Sequence, residues 1–297
     1  MLRIIADSTC DISKEDARKM GIQIVPISVR FGNEEFLDGV EITHEEFYTR
    51  LAECDELPKT SQPSPDTFMK VFNEAVAAGD DVLGIFISSD LSGTYQSACL
   101  AALDVEEETE KKLYMVDSRS ASIGTALLIR EAVKLRDAGV NVADIAAACT
   151  EMSKYIKLTA VVGSLKYLKM GGRLSGAAAF AGTMLHITPV VSIEDGKVVV
   201  IGKTRGKKAA EKLMHDKLTK DGLSLTRDFM FGHINCSESL ETFINKSLTY
   251  ISDVNGNVGV SSIGCSVGTH VGPGTYGIAY VEAAESGMNR ESIVKTA

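Results

Sequence analysis

The sequence lacks an excess of positive charge. Its 31 lysines and arginines are outnumbered by 40 aspartates and glutamates, which leaves a formal net charge of −9 at pH 7. Nucleic-acid binding requires a concentrated basic surface, and electrostatic attachment to anionic lipid requires one too. The composition therefore argues against a nucleic-acid-binding protein and against more than a transient contact with a membrane.

The sequence also lacks the cysteine and histidine spacings that are typical of metal sites. None of its six cysteines pairs with another as CxxC, and its five histidines, at positions 44, 186, 215, 233 and 270, are not at ligand spacing. A chain of 297 residues is too large to depend on disulfides for its stability. We therefore expect reduced thiols in the cytoplasm, and neither a metal nor a cofactor.

No apolar run is long enough for a comfortable membrane span. The most apolar stretch, GAAAFAGTMLHITPVVSI at residues 176–193, is interrupted by Gly182, Thr183, His186 and Pro189. We interpret it as a loop that leads into a core strand. The N-terminal MLRIIADSTC is typical of a strand and not of a signal peptide.

The first half of the sequence alternates predicted strands and helices. Its buried strands are predicted at Leu2–Ala6, Val82–Ser88 and Leu113–Val116. Thr43 and Glu46 form a capping box that predicts a helix over residues 44–53, and Ser64 before Pro65 predicts the start of another. This order predicts a mainly parallel sheet with helices on both faces.

The second half of the sequence has a different order of predicted elements. Ile187–Ile193 and Lys197–Gly202 flank Glu194-Asp195-Gly196, which is typical of a hairpin turn and requires antiparallel pairing. We therefore predict an α/β protein of two domains. Residues 1–159 are expected to hold the mainly parallel sheet, and residues 160–297 a mixed sheet.

The segment GCSVGTHVGPGTYG, residues 264–277, matches two functional patterns at once. Its first five residues fit the nucleophile elbow of serine hydrolases, but the glycines after Ser266 are not expected to sustain the helix that must follow. Gly272–Gly277 fits the dinucleotide fingerprint, which must open a helix, whereas IAYVEA after it predicts a strand. We interpret both matches as coincidences.

A phosphate-binding loop for ATP is missing as well. Gly202-Lys203-Thr204 contains the right dipeptide, but Lys197 stands at the position where the pattern requires a glycine. The sequence therefore has no recognisable ATP site.

Two hydroxyl-rich turns in the first half are candidates for a binding site. One begins at Thr60 in TSQPSP, and the other is SSDLSGT over residues 88–94. Ligands lie beyond the carboxyl ends of parallel strands, where helix N-termini favour an anion, although serine and threonine also occur at such turns as simple caps. With His270 of the glycine-rich segment, these hydroxyls suit a small carboxylate, which needs hydrogen bonds when it leaves water.

Several stretches of the sequence together resemble the DegV family. In chain order they are IIADSTCDIS, LPKTSQPSP, SSDLSGTYQSA, VDSRSASIGTALL, YLKMGGRLSG, TRGKKAAEKL and VGTHVGPGTYGIAY. The likeness extends from residue 3 to about residue 282. The best-understood members of that family are the fatty-acid-binding subunits of bacterial fatty acid kinase.

The resemblance implies two α/β domains with a fatty acid between them and its acyl chain in a buried apolar tunnel. By motif match, the carboxylate is expected to meet Thr60 or its neighbour Ser61, Ser92 and His270. Arg173 of the Gly-Gly-Arg motif is implied for the head-group or acyl-phosphate end.

The resemblance also implies a partner. The basic segment 203–208, which includes Arg205, matches the region that engages the kinase subunit, and Asp38 in LDGVEI is a further candidate contact. The expected function is therefore to bind a long-chain fatty acid and present its carboxylate to a separate kinase that carries ATP, without catalysis by this chain. Two alternatives stay open: a lipid hydrolase with Ser92 or Ser266 as nucleophile, and a lipid carrier or sensor with no kinase partner.

The stretch at residues 176–191 is expected either to line the tunnel or to pack in an ordinary core.

Overall fold

The computed structural model describes residues 1–54, 56–176, 187–224, 226–250 and 256–283. They form a two-domain α/β fold with a parallel sheet in the first half and a mixed sheet in the second, as predicted. The strands are β1 (Leu2–Asp7), β2 (Ile22–Val25), β3 (Ser28–Phe31), β4 (Glu34–Leu37), β5 (Lys59–Ser61), β6 (Asp81–Phe86), β7 (Tyr114–Asp117), β8 (Ile156–Val161), β9 (Thr188–Glu194), β10 (Lys197–Thr204), β11 (Phe229–His233), β12 (Val258–Ser262) and β13 (Tyr276–Val281).

Ten α-helices are distributed along the described part of the chain. They are α1 (Lys14–Met20), α2 (His44–Glu53), α3 (Pro65–Ala77), α4 (Thr94–Thr109), α5 (Ile123–Asp137), α6 (Val142–Met152), α7 (Lys166–Met170), α8 (Lys207–Asp221), α9 (Ser237–Tyr250) and α10 (Cys265–Val271). None of the helices in the described part of the chain is long and apolar enough to cross a membrane.

The first sheet consists of four parallel strands in the order β2-β1-β6-β7. Residues 4–7 of β1 and residues 82–86 of β6 are buried without alternation, because helices cover both faces of the sheet. Beside it lies a three-stranded antiparallel sheet in the order β4-β3-β5, which the sequence did not predict. This small sheet carries Thr60 and Ser61 on β5.

Two predicted helix starts are confirmed by their capping geometry. The Thr43 side chain accepts a hydrogen bond from the Glu46 amide at 3.2 Å, and Ser64 accepts one from the Thr67 amide at 3.2 Å. Helix α4 starts without a side-chain cap at its N-cap residue, Gly93, and the Ser92 hydroxyl accepts a hydrogen bond from the Thr94 amide.

The second sheet has six strands in the order β10-β9-β8-β13-β11-β12, all antiparallel to their neighbours except β11 and β12. The predicted hairpin is β9–β10. Its turn residues, Asp195 and Gly196, have φ of 48° and 80°, as a tight turn between twisted strands requires. Strand β8 spans the predicted domain boundary at residues 159 and 160 and pairs within this sheet, and the boundary itself stays a prediction.

Helix α5 lies between the two sheets and is buried almost all round. Leu128 packs in the same cluster as Ile4 of β1, whereas Ile123 packs against Met230 and Ala279 of the second sheet. The first half of this helix, residues 123–129, carries no charged side chain and has to be covered on every side. The strand-to-helix region around its start therefore faces the second domain.

The expectation that no helix follows Cys265 and Ser266 is wrong, because residues 265–271 form α10. Gly268 lies inside this helix, and a Cβ at this position would lie 2.2 Å from Tyr48 Oη. The glycine thus permits a close contact between α10 and α2 rather than interrupting the helix. Ser266 lies in the first turn of α10 and not at the residue before a helix, which is where an elbow nucleophile has to stand.

Candidate functional site

A cavity of about 430 Å³ lies between the two domains, within the size range of small-molecule sites. Alternate residues of the second sheet form its apolar wall, because alternate side chains of a strand point to the same face. These are Leu158, Ala160 and Val162 along β8 and just beyond it, and Val191 and Ile193 on β9. Of the stretch 176–191 that was a candidate tunnel wall, residues 177–186 lie outside the described residues.

A cluster of polar side chains lines the same cavity. Thr60 of β5 and His270 in the last turn of α10 approach each other across the domains, with 3.0 Å between Thr60 Oγ1 and His270 Nε2. Ser61, Ser92 and Arg173 also line the cavity. The structure therefore brings together all five residues for which the sequence predicts a head-group role. We call Thr60, Ser61, Ser92, Arg173 and His270 the polar cluster.

The imidazole of His270 is uncharged near neutral pH. Burial and, secondarily, the positive charge of Arg173 lower the pKa of His270 to about 4. Its Nδ1 is buried and has no hydrogen-bond partner among the described residues. The ring is therefore available to a ligand as a neutral hydrogen-bonding group. Near neutral pH it gains a proton when a negative charge next to it offsets the cost of burial.

Arg173 is the charged member of the polar cluster. Its Nε donates to the Leu91 carbonyl at 3.0 Å, and one terminal nitrogen donates to the Gly171 carbonyl at 2.7 Å. These bonds orient a half-buried guanidinium, but no carboxylate in the described ranges forms an ion pair with it. A buried or partly buried cation without a counter-ion favours an anionic ligand.

Gly171 of the Gly-Gly-Arg motif permits the close packing of His270. A Cβ at this position would lie 2.3 Å from His270 Nδ1, far inside contact distance. Its φ of −73° is one that any residue adopts, so backbone conformation does not require glycine here. What requires glycine is the space that the imidazole occupies.

Ser92 lies at the carboxyl end of the first sheet, in the turn before α4. Its hydroxyl is 2.9 Å from Thr94 Oγ1 and accepts from the Thr94 amide at 3.3 Å. The serine therefore both supports the helix start and lines the cavity. The capping role and the ligand role that the sequence left open are compatible in one side chain.

The cavity has polar lining residues that the sequence reasoning missed. Gln62 covers the start of α4, since a Cβ on Gly93 would lie 2.3 Å from its Oε1. Thr9 and Ser122 line the cavity as well, and so does Ser266, which the sequence analysis named only as a candidate nucleophile. Gln62 and Ser122 stand inside two of the stretches quoted for the family resemblance, which was a signal that could have identified them.

Asp38 and Arg205, the predicted partner contacts, occupy different environments. Arg205 is exposed in the turn between β10 and α8. Asp38 is only 4% exposed, and its carboxylate accepts hydrogen bonds from the amides of Cys265 and Ser266 at 3.2 and 3.1 Å. The Asp38 side chain therefore caps the start of α10.

Comparison with known proteins decides the family. The model of an uncharacterised protein family, DegV, matches residues 1–283. The chain belongs to the DegV family. The DegV domain-containing protein CPE1310 of Clostridium perfringens is 34% identical over 290 residues, which cover 95% of this chain and 98% of the relative. A second DegV domain-containing protein, CA_C3284 of Clostridium acetobutylicum, is 35% identical over 94% of this chain and 97% of its own length.

Solved DegV structures resemble this chain along nearly its whole length. A DegV protein from Thermus thermophilus, described for its fatty acid binding, superposes with a TM-score of 0.84 and 31% identity, covering 94% of this chain and 99% of the other. A stearic-acid-binding protein from Eubacterium ventriosum gives a TM-score of 0.85 and 29% identity, over 96% of this chain and 100% of the other. These structural neighbours of the DegV chain are thus fatty-acid-binding proteins.

Proposed function

We propose that this DegV chain binds a long-chain fatty acid, with the acyl chain in the interdomain cavity and the carboxylate at the polar cluster. In this proposal it works in the cytoplasm and presents the carboxylate to a separate kinase that supplies ATP. The product is an acyl phosphate, and this chain itself is not the catalyst. The observation that carries the proposal is one cavity in which apolar strand faces adjoin Thr60, His270 and Arg173.

The energetics of the cavity suit an acyl chain. Burial contributes about 0.8 kcal/mol for each CH₂ group, so a sixteen-carbon acid gains roughly 12 kcal/mol before ordering costs. A carboxylate cannot enter an apolar site without partners, because each lost hydrogen bond to water has to be replaced. The fatty acids bound by structural neighbours support this assignment of the ligand class.

The roles within the polar cluster follow from charge and reach. Thr60 or Ser61, Ser92 and His270 are assigned to the carboxylate as hydrogen-bonding groups. Arg173 is assigned to the head-group end, where a phosphoryl group adds negative charge that a guanidinium stabilises. The exposed Arg205 remains the proposed contact with the kinase. Asp38 is a weaker candidate, because its carboxylate already binds the start of α10.

A serine hydrolase receives no support from the geometry. A nucleophilic serine is activated by a base within hydrogen-bonding distance. The Ser92 hydroxyl is bonded to Thr94, and within the described residues neither Ser92 nor Ser266 bonds an imidazole. An acyl-ester hydrolysis that disappears in Ser92→Ala would reverse this conclusion.

Binding is tested first with the purified protein. Native mass spectrometry should detect a co-purifying mass equal to that of a long-chain fatty acid. His270→Ala and Ser92→Ala should each weaken binding of an added fatty acid by roughly 1 to 3 kcal/mol, the loss of one partner of a buried charged group. Ser64→Ala is the matched control, because Ser64 caps α3 and does not line the cavity. Unchanged affinity in both cluster variants would refute the assignment.

Presentation to a kinase is tested separately from binding. Immobilised protein loaded with fatty acid should capture an ATP-dependent partner from a cytoplasmic extract, and the mixture should form acyl phosphate. Arg173→Ala should lower the rate of that formation about 100-fold, while affinity for the fatty acid changes much less. Equal rates for the variant and the parent protein would remove Arg173 from this role. Fatty acid binding with no captured kinase would leave a carrier or sensor.

A further inference from the structure

Ligand atoms of three metal-binding types meet at the start of α10, apart from the polar cluster. Asp38 follows β4, His44 is the first residue of α2, and Cys265 is the first residue of α10. One carboxylate oxygen, one ring nitrogen and the Sγ of these residues all lie within 4.8 Å of one another. Asp38 and Cys265 are buried, and the half-buried His44 leaves one side open for entry.

A side chain at position 264 would crowd two of these three ligand residues. A Cβ on Gly264 would lie 3.1 Å from His44 Nε2, 3.1 Å from Asp11 Oδ1 and 3.5 Å from Asp38 Oδ1. The glycine before Cys265 therefore allows His44 and Asp38 to lie close to the start of α10.

The surroundings of Asp38 also favour a cation. Asp38 is 4% exposed. Among the described residues, its carboxylate accepts hydrogen bonds from uncharged groups, which include the amides of Cys265 and Ser266 and the hydroxyl of Ser8. Buried carboxylates normally pair with a cation or bind a metal, because an uncompensated buried charge is costly.

We propose that Asp38, His44 and Cys265 form a binding site for Zn²⁺, with water as the fourth ligand. Mixed nitrogen, sulfur and carboxylate ligands suit zinc, whereas magnesium and calcium require oxygen ligands alone. Ligand atoms about 2.0 to 2.3 Å from zinc lie roughly 3.5 Å apart in a tetrahedron. The three atoms therefore have to approach one another by roughly 1 Å, which the rotatable side chain of His44 permits.

Binding exchanges a proton for the metal. The Cys265 S–H bond breaks, the sulfur donates its electron pair to Zn²⁺, and the proton leaves to solvent, with no change of oxidation state. The metal ties the segment after β4 and the start of α2 to the helix that carries Ser266 and His270. The spacing of cysteines and histidines could not indicate such a site, because its ligands lie far apart in the sequence.

Cobalt is the probe that tests the site, because Co²⁺ replaces zinc and reports on sulfur ligands by its spectrum. The full-length protein, stripped with a chelator and kept reduced, is titrated with Co²⁺. We expect one ion per chain, visible bands of a tetrahedral ion, a near-ultraviolet thiolate-to-cobalt band, and displacement by Zn²⁺. Cys265→Ser should abolish the thiolate band, and His44→Gln should weaken binding at least about tenfold.

Controls separate this site from loss of folding and from adventitious binding. Cys99→Ser changes a half-buried thiol on α4 and should leave the spectrum unchanged. Circular dichroism and urea denaturation report whether each variant is folded. A parent protein without the thiolate band, or a band that persists in Cys265→Ser, would overturn the proposal. So would equal Co²⁺ affinity in His44→Gln. None of these outcomes depends on the proposed function.

Discussion

Binding of a fatty acid should be accompanied by uptake of a proton at His270. In the free protein, burial and Arg173 hold the pKa of this imidazole down at about 4. A carboxylate beside the ring favours its charged form and raises that pKa. If the complex restores the ordinary histidine value of about 6.5, lowering the pH favours the complex, because the complex binds more protons than the free protein.

The magnitude follows from these two values. At pH 5.5 the ring carries about 0.03 proton in the free protein and about 0.9 in the complex, so binding takes up about 0.9 proton. Affinity should therefore rise about tenfold between pH 7.5 and pH 5.5 from this group alone. Isothermal titration calorimetry in two buffers with different ionisation enthalpies measures the proton uptake directly.

Two histidine variants make the measurement specific. Part of the measured proton uptake can come from the carboxyl group of the fatty acid itself. His270→Gln should abolish the rest. His233→Gln is the matched control, since burial also lowers the pKa of His233 but this residue does not line the cavity. The reasoning is refuted if the parent protein takes up no proton, or if His270→Gln takes up as much as the parent protein.

In the absence of fatty acid, His270 should make the protein less stable as the pH falls, whereas in the complex a lower pH favours binding. A histidine whose pKa is lowered by folding is protonated first in the unfolded chain, so stability falls as the pH drops from about 6.5 towards 4. The shift of His270 corresponds to about 3 kcal/mol at the lower end. Urea unfolding of the parent protein and of His270→Gln across this range measures the difference, which should vanish if the ring is not buried in the free protein.

Further predictions concern space and buried hydroxyls. Gly171→Ala should displace His270 and weaken fatty acid binding about tenfold or more, whereas Gly172→Ala, with φ of 71° and open space, should lower only the melting temperature. Equal affinities for both would contradict the steric argument. Thr159→Val removes a fully buried hydroxyl that has no hydrogen-bond partner among the described residues, and the Ser192 hydroxyl on the paired strand has none there either. It should raise the free energy of unfolding by about 1 kcal/mol; a decrease in urea denaturation would contradict this.

Local patterns were sufficient to predict much of the architecture. The capping residues Thr43 and Ser64 define two helix starts, and Asp195-Gly196 defines a hairpin, because each depends on neighbours in the sequence. The helix α10 could not be predicted in this way. Its amides are capped by Asp38, and its Gly268 packs on Tyr48, so its stability depends on contacts between distant segments.

The candidate site, like the fold, could be predicted only in part from the sequence. The family resemblance selected the residues of the polar cluster, but it could not give the 3.0 Å contact between Thr60 and His270. That contact joins β5 of the small sheet to α10, and the small sheet itself was not predicted. The role of Asp38 was also beyond the sequence, since only the fold shows that its carboxylate is buried.

The capping of α10 has a consequence for biosynthesis. Asp38 is separated from the Cys265 amide by 227 residues, and Asp11 from the Gly264 amide by 253. A ribosome makes both aspartates early and their amide partners among the last residues of the fold. Until then the nascent N-terminal half holds two carboxylates that lack these amide partners. We expect it to stay protease-sensitive, and dependent on chaperones, until residues 264–266 leave the exit tunnel.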